Sequence, residues 1–223
     1  MLLKIFLQNG FYIHFLHVFL YHVTKDIYIS SIIAIKLYST NYFYWYENYF
    51  NYLPRYNWIK QFIRFTYTGH LASFLPLFYP QFLPVAHNIH FIIMSGYWIG
   101  KLAFGLKDAD KRLIKGNLEW HTDLCTYIHH SVPYALIHSL FIPVDCMNQY
   151  SYDTIKSTYL WLYTWFIFIY IPWRKYTGDP VYSILDTKQT PAKYIFGFVF
   201  SIHVLALFSN FVGYNACKLY YYP

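Results

Sequence analysis

From Leu124 to Val144 the chain carries no Asp, Glu, Lys or Arg, and His129-His130 sits inside that run with Pro133 close behind. A helix over 124–144 would be about 31 Å long, enough to cross the hydrocarbon core of a bilayer. Histidines at that depth are costly in lipid and usually face a bundle interior, a cavity or a ligand. The run therefore points to a membrane helix and marks a candidate interior site.

Further charge-free windows occur at 5–24, 65–100, 157–173 and 194–217. The second is too long for one helix, and Pro76, Pro80 and Pro84 interrupt it. Proline lacks the helical donor and disfavours helix in the residue before it. This predicts a hairpin of helices 65–79 and 85–103 about a turn at 80–84. The expected fold is all-α: a single polytopic membrane bundle with spans near 5–24, 65–79, 85–103, 124–144, 157–173 and 194–217. The fifth span is expected to end at Pro172-Trp173.

Two segments need separate readings. Residues 1–24 resemble an uncleaved signal, but Gln8, Asn9, His14, His17 and His22 make a poor signal core and no small-residue cleavage site follows. They are read as a first span packed on protein. Segment 25–64 holds Ile27–Ile35 and then an aromatic cluster from Tyr42 to Tyr52, with Trp45 and Trp58. Tyr and Trp favour the membrane interface, so an interfacial stretch is expected. A seventh span over 27–46 is the alternative, with Lys36 near its middle.

Charge supports six spans. Lys4, Lys156 and Lys218 fall on one side, and every other Lys and Arg falls on the opposite one. That asymmetry places both termini outside and the basic loops in the cytosol or an organelle matrix. The composition is 57% hydrophobic and 12% charged, so water is not the main solvent. The net charge of +7 is accounted for by topology, and no nucleic-acid partner is expected. Cys125, Cys146 and Cys217 form no CxxC pair, which indicates neither a disulfide framework nor a cysteine metal site. No nucleotide-binding glycine motif is present. The 27 Tyr and 21 Phe against 9 Gly fit an A/T-rich genome.

Three elements are candidates for chemistry. His129 and His130 point about 100° apart on a helix. Cys125, His129 and Pro133 share a stripe, and Pro133 cannot donate to the His129 carbonyl, which favours a small polar cavity. The simpler alternative is a histidine bonded to a neighbouring helix. Thr66 lies in Arg64-Phe65-Thr66-Tyr67-Thr68. A threonine hydroxyl needs a base to become a nucleophile, and otherwise Thr66 and Thr68 bond the backbone. The third element runs from Tyr176 to Asp186, where Gly178 and Pro180 demand a turn. Val181, Tyr182, Ile184 and Leu185 would tuck against the bundle mouth as a plug or lid.

In this order the three elements resemble the androgen-induced family of membrane threonine hydrolases and its bacterial six-span relatives. The matching residues are Arg64-Phe65-Thr66-Tyr67, His129 through Pro133, and Thr177-Gly178 through Leu185-Asp186. The resemblance covers roughly 60–215. It implies Thr66 as nucleophile and His129 as base, with Thr68 and His130 as register alternatives, acting on lipid esters of hydroxy fatty acids. Ser183 stands where the family has Pro, and Ile184 where it has an aromatic. Where members often carry an acid after the middle-span Pro, this chain reads His138-Ser139-Leu140.

His87 and His90, with His70, His138 and His203, form a further set. Histidine pairs from facing helices can hold haem, but the expected depths do not pair cleanly. No cofactor or metal is expected, with haem a minority reading. Two functional expectations follow. The leading one is an accessory subunit of a mitochondrial inner-membrane respiratory complex, in contact with lipid and with other subunits. It rests on the absent acid, the polar first span and the aromatic 27–60 segment. The alternative is an active lipid-ester hydrolase.

Overall fold

The computed structural model describes residues 14–35, 37–38, 60, 62–105, 119–139 and 150–221. Among these residues the fold is all-helical, with no strand. Helices α1 (14–24) and α2 (27–35) are followed by α3 (Phe65–Ala72), α4 (Leu75–Phe78) and a 3₁₀ turn at Pro80–Phe82. Then come α5 (Leu83–Ala103), α6 (Glu119–Ser139), α7 (Tyr152–Thr164), a π turn (Trp165–Tyr170), α8 (Ile171–Thr177) and α9 (Ala192–Tyr221). Helix α5 is the hub, packed by α3, α6, α7 and α9.

The prolines explain most boundaries. Pro76 has no N–H for the carbonyl of Ala72, four residues back, and α3 ends at Ala72. The expected single helix over 65–79 is therefore two short helices, a correction to that span. Pro84 sits in the first turn of α5, where its missing donor costs nothing. Pro172 does not end its helix as expected. The π register runs up to it, with Ile171 N–H bonded to the Phe166 carbonyl five residues back, and helix continues to Thr177.

A tight turn separates α1 from α2. Lys25 adopts φ 56°, and the Asp26 carboxylate accepts the N–H groups of Tyr28 (2.8 Å) and Ile29 (3.0 Å), capping α2. Ile32 is fully buried in a cluster with Leu83, Ala86, Ile137, Tyr150 and Cys217. Ile29, Ser30, Ile32, Ile33 and Ala34 are buried while Ile27 is exposed, so this part of the expected interfacial stretch packs one face into the core. The aromatic cluster from Tyr42 to Tyr52 lies outside the described residues. Cys217 is disulfide-bonded, a bond that the cysteine spacing did not indicate.

The interior holds polar groups that tie helices together. Asn88 donates to Thr158 Oγ1 and to Asn210 Oδ1, each at 3.2 Å, linking α5 to α7 and α9. Asn88→Ala is expected to lower stability by about 1–2 kcal/mol, since two partners lose their bond to a fully buried side chain. Thermal unfolding of the detergent-solubilised protein measures this, and an unchanged midpoint would show the triad to be idle.

Helix α9 is long and apolar enough over Ala192–Leu219 to cross a membrane, and it is the one helix among the described residues that meets that measure by length and composition. Only 17% of its most apolar window is buried, so it is not a covered core helix.

Candidate functional site

Helix α3 begins at Phe65, so Thr66 stands in its first turn, beside the middle of α6, which carries His129-His130. Thr66 Oγ1 lies 3.4 Å from His130 Nε2. The ring of His130 is oriented from the other side: Nδ1 lies 2.7 Å from the Thr126 carbonyl. A carbonyl only accepts, so Nδ1 carries the proton and Nε2 presents its lone pair to the threonine. The Tyr97 ring stacks on this imidazole at 4.0 Å and 15°, which fixes its plane.

His129 goes elsewhere. It packs edge-on against His70 at 4.5 Å, and His70 stacks on His90 at 5.2 Å. His90 Nε2 lies 2.6 Å from Ser73 Oγ, and His87 Nε2 lies 3.1 Å from His138 Nδ1. The structure therefore pairs Thr66 with the register alternative His130 and places His129 in a buried histidine row. Thr68 Oγ1 donates to the Phe65 carbonyl at 3.0 Å and so bonds backbone. The side chain of Cys125 lies outside the described residues, so its stripe with His129 is not described.

Thr66 and His130 open on a cavity of about 280 Å³. Ile92, Leu162, Trp165, Phe198 and Ile202 make its wall largely apolar. The polar groups that reach it include Arg64, Tyr182 and His203. Such a space suits an apolar chain with a polar group held at one end. Among the described residues, no group of three His, Cys, Asp or Glu is arranged to hold a metal ion.

The 178–186 loop lines part of the cavity with Val181, Tyr182, Ser183 and Leu185, and is braced at both ends. Asp179 pairs with Lys60 at 2.8 Å, and Asp186 with Arg174 at 3.5 Å. Val181 is buried with φ 60°, an uncommon conformation for a β-branched residue. It turns the Tyr182 hydroxyl onto the start of α3, where it accepts the Phe65 N–H at 2.9 Å. Burial pushes the Tyr182 phenol above its ordinary pKa, with Arg64 opposing. Tyr182 is therefore a neutral donor at neutral pH.

Sequence reasoning had no signal for Tyr97, whose place over His130 depends on the register of α5 against α6. Tyr182 was marked only as a residue that tucks inwards. No family model, curated protein or solved structure matches the chain.

Proposed function

We propose that the chain is a membrane-embedded lipid-ester hydrolase with Thr66 as nucleophile and His130 as general base. The supporting observation is the Thr66–His130 contact, with the base oriented by Thr126 and both groups facing an apolar cavity. At 3.4 Å the contact is long for a hydrogen bond, as catalytic contacts often are without substrate. His130 takes the Thr66 proton as the oxygen attacks the ester carbonyl. The same proton then passes to the departing alcohol, and water hydrolyses the acyl-threonine by the reverse route. The resemblance to the threonine hydrolases supports the nucleophile but implies His129 as base; the contact with Thr66 favours its neighbour His130.

The membrane reading extends from α9 to a bundle of about six crossings. Its support is the combination of buried polar groups with large exposed apolar ones. His70, His87, Asn88, His90 and Thr158 are buried, while Leu160, Phe168, Phe196, Phe200 and Phe211 are exposed. Lipid favours that arrangement and water opposes it. With α5 and α6 at about 31 Å each, both have the length to cross.

A fluorophosphonate probe tests the reaction, because it captures an activated hydroxyl. The purified protein should label, and Thr66→Ala should reduce labelling to background without changing elution or melting. Equal labelling of both would overturn the assignment.

A second reading, an accessory subunit of a mitochondrial inner-membrane respiratory complex, is favoured by α1. That helix exposes Phe15, Phe19 and Val23 alongside His14 and His22. Such a mixed face fits a protein partner better than lipid or water alone. Co-migration with a respiratory complex on a native gel supports this reading, and migration as a free monomer removes it.

A further inference from the structure

We infer that Tyr182 is a catalytic residue of the Thr66 site, its phenol donating to the oxyanion that forms when Thr66 attacks an ester. This rests on the hydrolase reading above and extends it to a residue that neither the spacing of motifs nor the Thr66–His130 contact identifies.

Geometry carries the assignment. The Tyr182 oxygen accepts the Phe65 N–H at 2.9 Å. Phe65 is the residue immediately before Thr66, and Tyr182, Thr66 and His130 line the same cavity. A phenol held beside the nucleophile on that cavity wall stands where a carbonyl oxygen would arrive. Phe65 and Thr66 are the first residues of α3, whose N–H groups have no acceptor within the helix. The Phe65 amide occupies one side of the phenol oxygen and polarises its O–H, which strengthens it as a donor.

The loop supplies rigidity. Asp179 Oδ1 accepts the Val181 N–H at 2.7 Å while its other oxygen holds Lys60. Arg174 holds Asp186 and donates to the Gly178 carbonyl at 2.6 Å. The left-handed Val181 is backbone strain immediately before the residue it aims, a placement common at functional sites. Donors fixed in advance need no reorganisation as charge develops, which makes them effective.

In the step, the Thr66 oxygen forms a bond to the ester carbon and its proton moves to His130 Nε2. The carbonyl π pair moves to oxygen, which accepts a hydrogen bond from Tyr182 without taking its proton. On collapse the bond to the alkoxy oxygen breaks, and His130 returns the proton to it.

The test uses full-length protein in detergent and a long-chain 4-methylumbelliferyl ester. Tyr182→Phe should lower kcat about 100-fold, as removal of one oxyanion donor does, with KM within about twofold. Fluorophosphonate labelling should slow in parallel, since the phosphoryl oxygen uses the same donor. Asp179→Asn keeps the phenol but weakens its brace, and should lower kcat severalfold at unchanged KM. An unchanged or raised kcat in Tyr182→Phe would overturn the inference, a rise showing that the phenol merely blocks the site. If the wild type reacts no better than Thr66→Ala with either probe, the hydrolase reading falls and this inference with it.

Discussion

Replacing His130 by Gln is expected to abolish ester turnover, by about a thousandfold or more, whereas His129→Gln should stay within about tenfold of the wild type. Initial rates with a long-chain ester measure both. The two residues are neighbours on one helix and differ by about 100° in direction, so only one can face Thr66. His130 Nε2 is the nitrogen within reach, and its other nitrogen is occupied by the Thr126 carbonyl. Glutamine keeps a hydrogen-bonding group there but takes up no proton, so the contact survives and the base does not. His129→Gln removes an aromatic contact to His70 and is expected to act on stability, not on turnover. The opposite ranking would return the base to the position that the family resemblance implies.

Gly213→Ala is expected to destabilise the fold by about 3 kcal/mol, at the upper end of the usual cost of overpacking. A Cβ at Gly213 would run into the ring of Tyr150, meeting Cε1, Cζ and the hydroxyl oxygen. A ring is rigid and cannot bend aside as an aliphatic tip does, so either the ring or α9 must shift. Tyr150 belongs to the cluster that gathers α2, α5, α6 and the end of α9, so the shift would spread. Gly197→Ala on the same helix is the control. Its Cβ would meet Phe104 at 3.5 Å, an ordinary contact, and alanine is the better helix former. Thermal unfolding in detergent should separate the two, and Tyr150→Ala should recover part of the loss at Gly213. Equal midpoints for both alanine variants would show that the α9–Tyr150 contact is loose.

How far sequence carried this fold depends on which interaction decides each boundary. The start of α5 was legible to within two residues: Pro84 marks it, but from inside the first turn, where its missing donor is harmless, and not as the end of the expected 80–84 turn. The break after Ala72 was equally local, yet the window was read as one helix because its uniform apolarity masked the effect of Pro76. Residues 27–35 were misread for a different reason. An apolar stretch beside aromatics fits a membrane surface and a core equally, and only the partners of Ile32 decide between them. In the site, Thr66 and the two histidines were visible as residue types. The choice between His129 and His130 was not, because it depends on the rotation of α6 about its own axis. The stripe argument through Pro133 picked the face of His129, and that face turns to His70. Tyr182 was visible as part of a turn but not as a donor, because its partners Phe65 and Thr66 lie more than a hundred residues away in sequence.

The π turn at Trp165–Tyr170 has a bearing on how this site tolerates change in chain length. A π turn differs from an α turn by one residue in the count, so deleting a single residue there would restore regular helix. Because the π turn wraps its extra residue within a single turn, everything beyond it would keep nearly its present heading. The first thing beyond α8 is Gly178, the start of the loop that carries Tyr182. The π turn is therefore a place where the helix can give up one residue without turning that loop. Loss of a single residue across 165–170 should leave Tyr182 aimed at the start of α3.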